Sequence, residues 1–104
     1  MTTVTEIARL TIDPTRAAAF EAAVAQAEPL FRADPGCTGF ALQRVIEAAG
    51  VYHLVVGWTS LAAHNDMFRA TPAFQTWRAL AGPFFTAPPE VVHLAPAIGT
   101  VTVA

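Results

Sequence analysis

The chain has 104 residues, 54 % of them apolar and only 13 % charged, with a formal net charge of −2. That length suits one domain, because two cores would each bury too little surface to hold together. Six Lys and Arg with no basic run argue against a phosphate-backbone partner, and the lack of any stretch of about 18 apolar residues argues against a membrane span.

Residues 1–104 are therefore read as one unit, its core over residues 3–96 and a tail over 97–104. The first nine residues lack a basic end followed by an apolar stretch, which predicts a cytoplasmic protein. The one cysteine, Cys37, cannot close an internal disulfide and is expected to be a small packing residue rather than a nucleophile. So few charges over so apolar a composition predict burial against a second copy, that is, a homodimer.

Along the chain, Val4, Glu6, Ala8, Leu10 and Ile12 alternate with Thr5, Ile7, Arg9 and Thr11, the period of a strand. Asp13-Pro14 then opens a helix with a cap and a proline at its first position. Phe20, Val24, Ala27 and Phe31 form one apolar stripe along it, and Pro29 is expected to kink or restart it. After the turn Asp34-Pro35-Gly36 the period returns to two from Cys37 to Ile46. Ala48-Ala49-Gly50 leaves room only for a hairpin into an antiparallel strand, Val51 to Thr59.

Ser60 caps the next helical stretch, with Leu61, His64, Asn65 and Phe68 expected on one face. Thr71-Pro72 repeats the cap signal and splits this helix. Its second part presents Phe74, Trp77, Arg78 and Ala81 and stops at Gly82-Pro83. A last strand is read over 90–94, and Ile98 to Ala104 keeps strand character that could add to a partner.

The order is β-α-β-β-α-β, an α+β, ferredoxin-like arrangement in which two helices cover one face of a four-stranded antiparallel sheet. In the third strand Tyr52, Leu54, Val56 and Trp58 share one face, and His53, Val55 and Gly57 the other. Both faces are largely apolar, so the face without helices is expected to pack against a second subunit.

WTSLAAH after an apolar strand, FRATPAFQTW in a broken helix, then GPFF and PPEVVHL make the chain resemble the antibiotic biosynthesis monooxygenase family, a branch of the dimeric α+β barrels. The resemblance spans about residues 3–96, with W-x-S-x-x-A at the strand-to-helix junction as its most family-like piece. It implies a cofactor-independent monooxygenase that oxidises a phenolic, anthrone-like or quinol-like aromatic with dioxygen. The pocket it implies lies between helices and sheet. Trp58 and Arg78 match residues the polyketide-tailoring members use there, whereas His64 stands where they have tyrosine and Leu54 where they have asparagine. The haem-degrading branch needs asparagine, tryptophan and histidine where this chain has Ala8, Met67 and Trp77, so haem chemistry is disfavoured and no cofactor is expected.

Within that pocket His64 is the candidate for proton transfer, since imidazole titrates near neutral pH. Arg78 is the candidate for holding a phenolate or enolate, unless it pairs with Glu6, Asp66 or Glu90. Trp58 is expected to shape the pocket with its indole N–H available to the ligand, and Leu54, Phe68, Phe74, Trp77, Phe84 and Phe85 to line it for a flat ring system. His53 should face the subunit interface, and His93 has no partner visible at ligand spacing. The alternative reading is a non-catalytic domain of the same fold that binds a small hydrophobic molecule.

Overall fold

The computed structural model describes residues 3–101. Strand β1 runs Val4–Thr11, helix α1 Ala17–Arg32, β2 Cys37–Arg44, β3 Val51–Trp58, α2 Pro72–Ala81 and β4 Glu90–Leu94. The strands form one antiparallel sheet in the order β2-β3-β1-β4, the ferredoxin-like order expected from the sequence. Among the described residues no helix is long and apolar enough to cross a membrane.

Register places Glu6, Ala8 and Leu10 of β1 beside Val56, Leu54 and Tyr52 of β3, and on its other side Glu6 beside His93 of β4. This face takes both helices. The α1 stripe of Phe20, Val24, Ala27 and Phe31 is buried on it, and Phe31 meets Phe40, Phe68 and Trp77 at ring-centroid distances of 4.9, 4.8 and 5.4 Å. At the other end of α1, Glu21 accepts from Tyr52 Oη at 2.7 Å and from Arg44 Nη2 at 2.7 Å, tying the helix to the sheet. Gly50 closes the β2–β3 hairpin with φ +78°, where a Cβ would strike the Ile12 carbonyl.

The opposite face carries Ile7, Ala41, Val55, Val92 and Leu94 and no helix. Val92 and Leu94 are each about half exposed, at 54 % and 51 %.

Four local expectations need correction. Helix α1 does not restart at Pro29, which lies on its exposed side within an uninterrupted Ala17–Arg32. There the Ala25 carbonyl that loses its partner can turn to water, so the helix runs on. Strand β2 ends at Arg44, and Ile46 projects from the hairpin at 93 % exposure. The stretch after Ser60 is not a regular α-helix: Ala63–Met67 is a π-turn, followed by a 3-10 turn over Phe68–Ala70. The wider turn shifts the phase, so His64 and Phe68 are buried while Leu61 and Asn65 are exposed. Finally, residues 98–101 form no strand within this chain, and Ile98 and Val101 are exposed; 102–104 lie outside the described residues.

Candidate functional site

A cavity of about 550 Å³ opens between the helix-covered face of the sheet and α2. Its floor is Ala8, Leu10 and Leu54 of β1 and β3, its aromatic wall Phe74, Trp77 and Phe85. Four polar side chains reach it: Glu6, His64, Arg69 and Arg78.

Glu6 is placed by strand alternation, since its neighbours of the same parity, Ala8, Leu10 and Ile12, point into the core. It is 5 % exposed. Trp58, wholly buried, donates from Nε1 to Glu6 Oε1 at 2.9 Å. The His64 ring stacks on Trp58 at 5.1 Å between centroids and 17° between planes. That position comes from the π-turn, which Ser60 begins by accepting from the Ala63 N–H at 3.0 Å. His64 Nε2 then lies 3.4 Å from Glu6 Oε1, and its Nδ1 lies 2.8 Å from His93 Nε2. The result is a chain of four side chains from three strands and one turn: Trp58, Glu6, His64, His93.

Burial fixes the charge states along this chain. It pushes the Glu6 carboxyl up to about 7, with the Trp58 N–H and the Arg69 cation pulling the other way. Burial likewise pushes His64 down to about 4, helped by His93 and Arg69, and lowers His93, helped by Arg69. Near neutral pH both imidazoles are neutral, which suits two rings sharing one proton across 2.8 Å.

The expected site residues therefore fall into three groups. His64, Arg78, Leu54, Phe74, Trp77 and Phe85 all face the cavity. Trp58 and Phe68 lie behind it in the core, and Phe84 packs on Phe20 at 5.7 Å with Arg16 over its ring. The indole N–H of Trp58 is thus not available to a ligand, because the buried carboxylate takes it. The premise that His64 titrates near neutrality also fails, since desolvation disfavours its cation. His93, expected to stand alone, pairs with His64, because the β1–β4 register sets it next to Glu6. His53 lies on the other face of the sheet, on the wall of a separate surface hollow.

Arg78 stands on α2 with its guanidinium 5.9 Å from the Phe74 centroid, and Arg69 stands 5.5 Å from the same ring. Among the described residues neither has a carboxylate within 4 Å, so the pairing of Arg78 with Glu6, Asp66 or Glu90 does not occur. Two residues of the site escape sequence reasoning. Glu6 has a signal, an acid at the parity of an otherwise apolar strand face; Arg69 has none, because helical spacing does not carry through a π-turn.

Comparison with known proteins gives concordant matches. The family model described as antibiotic biosynthesis monooxygenase matches residues 3–80. An uncharacterized protein of Bacillus subtilis, YczJ, is 35 % identical over 74 residues, 71 % of this chain and 78 % of that one. A solved structure from Bordetella bronchiseptica assigned to the same family superposes with TM-score 0.89 at 45 % identity, covering 94 % of this chain and 100 % of the other. SnoaB of Streptomyces nogalater, a cofactor-independent oxygenase, shares the fold with TM-score 0.78 at 24 % identity, covering 97 % and 98 %.

Proposed function

Because the chain belongs to the antibiotic biosynthesis monooxygenase family, we propose that it is a cofactor-independent monooxygenase acting with dioxygen on a phenolic, anthrone-like or quinol-like aromatic. One observation carries this reading: a single cavity of about 550 Å³ holds both a proton-handling cluster, Glu6 with His64, and a permanent cation, Arg78, with no counter-ion among the described residues. Such a substrate needs little else. Once deprotonated it is electron-rich enough to give one electron to dioxygen, and the two radicals then combine to a carbon-bound peroxide. Protonation and loss of water leave a new carbonyl, with one oxygen atom in the product and the other in water.

The residues supply what that sequence requires. The cluster around His64 removes the proton, Arg78 holds the resulting anion, and Phe74, Trp77 and Phe85 exclude water around a flat ring. Trp58 acts from behind the wall by fixing Glu6. The likeness to SnoaB in fold is consistent with this chemistry. A second copy packed on the face of Ile7, Val55, Val92 and Leu94 would close the molecule as a homodimer.

Oxygen uptake with a panel of anthrones and hydroquinones tests the reading. Uptake that depends on the protein and falls about 100-fold in Arg78→Ala is expected, the size of effect seen when a preorganised anion-stabilising group is lost. Tight binding of these compounds with no uptake across the panel would instead make the protein a carrier of small hydrophobic molecules.

A further inference from the structure

Resting on the monooxygenase reading, we infer that the group accepting the substrate proton is the Glu6 carboxylate, through Oε2, and that His64 is a positioning residue rather than the base. The cavity wall leaves few candidates. Of its lining residues only Glu6, His64, Arg69 and Arg78 carry titratable groups, and a guanidinium cannot serve as a base near neutral pH.

His64 is the weaker candidate. Its Nδ1 is engaged with His93 Nε2 at 2.8 Å, and its Nε2 stands 3.4 Å from Glu6 Oε1 without a hydrogen bond between them. When His93 donates to Nδ1, Nε2 carries the ring proton and cannot accept another. When Nδ1 donates to His93, the Nε2 lone pair is free, but burial holds its conjugate acid down to about 4, well below Glu6 at about 7. His93 itself is not on the cavity wall.

Glu6 differs in one atom. Oε1 accepts from Trp58 and faces His64, but Oε2 has no hydrogen bond among the described residues. Among those residues no side-chain oxygen or nitrogen is both sealed from solvent and unpartnered, so Oε2 opens onto the cavity that Glu6 lines. A carboxylate fixed at one oxygen and free at the other is oriented for proton abstraction. The charged and titratable groups around it are His64 on the π-turn, His93 on β4, Arg69 and Arg78 across the cavity, and Cys37 on β2 within electrostatic range. Burial among them keeps its basicity near neutrality, where a base works best. The step is a plain proton transfer: the substrate O–H or activated C–H bond breaks, its electron pair stays on the substrate, and Glu6 becomes a carboxylic acid. That acid then returns the proton to the peroxide formed with dioxygen.

The test uses two readouts on the full chain, wild type, Glu6→Gln, Glu6→Asp and His64→Gln. The first is kcat/KM for oxygen uptake against pH. Wild type should rise through about pH 7, Glu6→Gln should lose about 100-fold or more, Glu6→Asp should recover part of it, and His64→Gln should be slower yet keep the rising limb. The second needs no turnover: a nitrophenol less acidic than Glu6, whose ionised form alone absorbs at long wavelength, is bound just above pH 7, where Glu6 is a carboxylate and the free phenol is still protonated. Wild type and His64→Gln should show the phenolate band, and Glu6→Gln should lose it. A band absent from wild type, or unchanged in Glu6→Gln and lost in His64→Gln, overturns the assignment. A Glu6-dependent band without oxygen uptake on any substrate sinks the monooxygenase reading alone; uptake indifferent to Glu6→Gln sinks the assignment alone.

Discussion

Glu6 meets opposing demands, because a carboxylate 5 % exposed is costly to ionise and yet is held in place by a donor that favours the ionised form. Its carboxyl is raised from 4.5 to about 7, so the stability it contributes is full below about pH 4.5 and is lost as pH rises through about 7. His64, depressed from 6.5 to about 4, runs the other way: its contribution is present above about pH 6.5 and lost as pH falls through about 4. The two offset one another between these values, so wild type alone would hide both. Glu6→Gln separates them. In urea unfolding its stability relative to wild type should increase from pH 5 to pH 8, by up to roughly 3 kcal/mol, because proton binding to one state alone changes stability by about 1.4 kcal/mol for each pH step of one. An equal difference at both pH values would show that Glu6 titrates normally. Trp58→Phe should move the rising limb of kcat/KM to higher pH, since the indole N–H lowers the Glu6 carboxyl, and should destabilise by about 1.5–3 kcal/mol for a buried hydrogen bond to a charged group.

Between residues and fold stands the stretch from Ser60 to Ala81, which puts His64, Arg69 and Arg78 on the cavity. Its second half depends on Thr71, whose Oγ1 accepts from the Phe74 N–H at 3.3 Å and donates to the Phe68 carbonyl at 2.6 Å. Thr71→Ala should destabilise by about 1 kcal/mol, and by loosening the start of α2 should raise KM more than it lowers kcat. Steady-state kinetics beside thermal unfolding check this. The cap itself is legible in Thr71-Pro72, as are all four strands, the split helix and the α1 stripe, because each rests on local period or turn chemistry. The π-turn is not, for a π-bulge has no residue preference strong enough to show against α-helical spacing. Two errors follow from it: helical spacing turns Leu61 inward and passes over Arg69. The Glu6–His64–His93 contacts join β1, the π-turn and β4, and such long-range juxtapositions are set by sheet register rather than by any spacing along the chain. Pro29 is the converse case, a local rule overridden because its exposed position lets the helix continue.

At the scale of the whole molecule, the sheet divides two tasks between its faces. The helix-covered face buries the core and leaves the cavity; the other face carries no helix and leaves Val92 and Leu94 half exposed beside Ile7 and Val55. Sedimentation should give a dimer at micromolar concentration, and Leu94→Lys, at a side chain already half exposed, should give a folded monomer. A wild-type monomer at that concentration would refute the second-copy arrangement. Everything proposed for the site depends on this cavity activating an aromatic substrate toward dioxygen without a bound cofactor. Turnover of an anthrone or hydroquinone under ¹⁸O-labelled dioxygen, with no metal, flavin or haem added, tests it most directly. Protein-dependent product carrying one labelled oxygen atom, lost in Arg78→Ala, is the expected result; substrate that binds in the cavity and is recovered unchanged and unlabelled would contradict it.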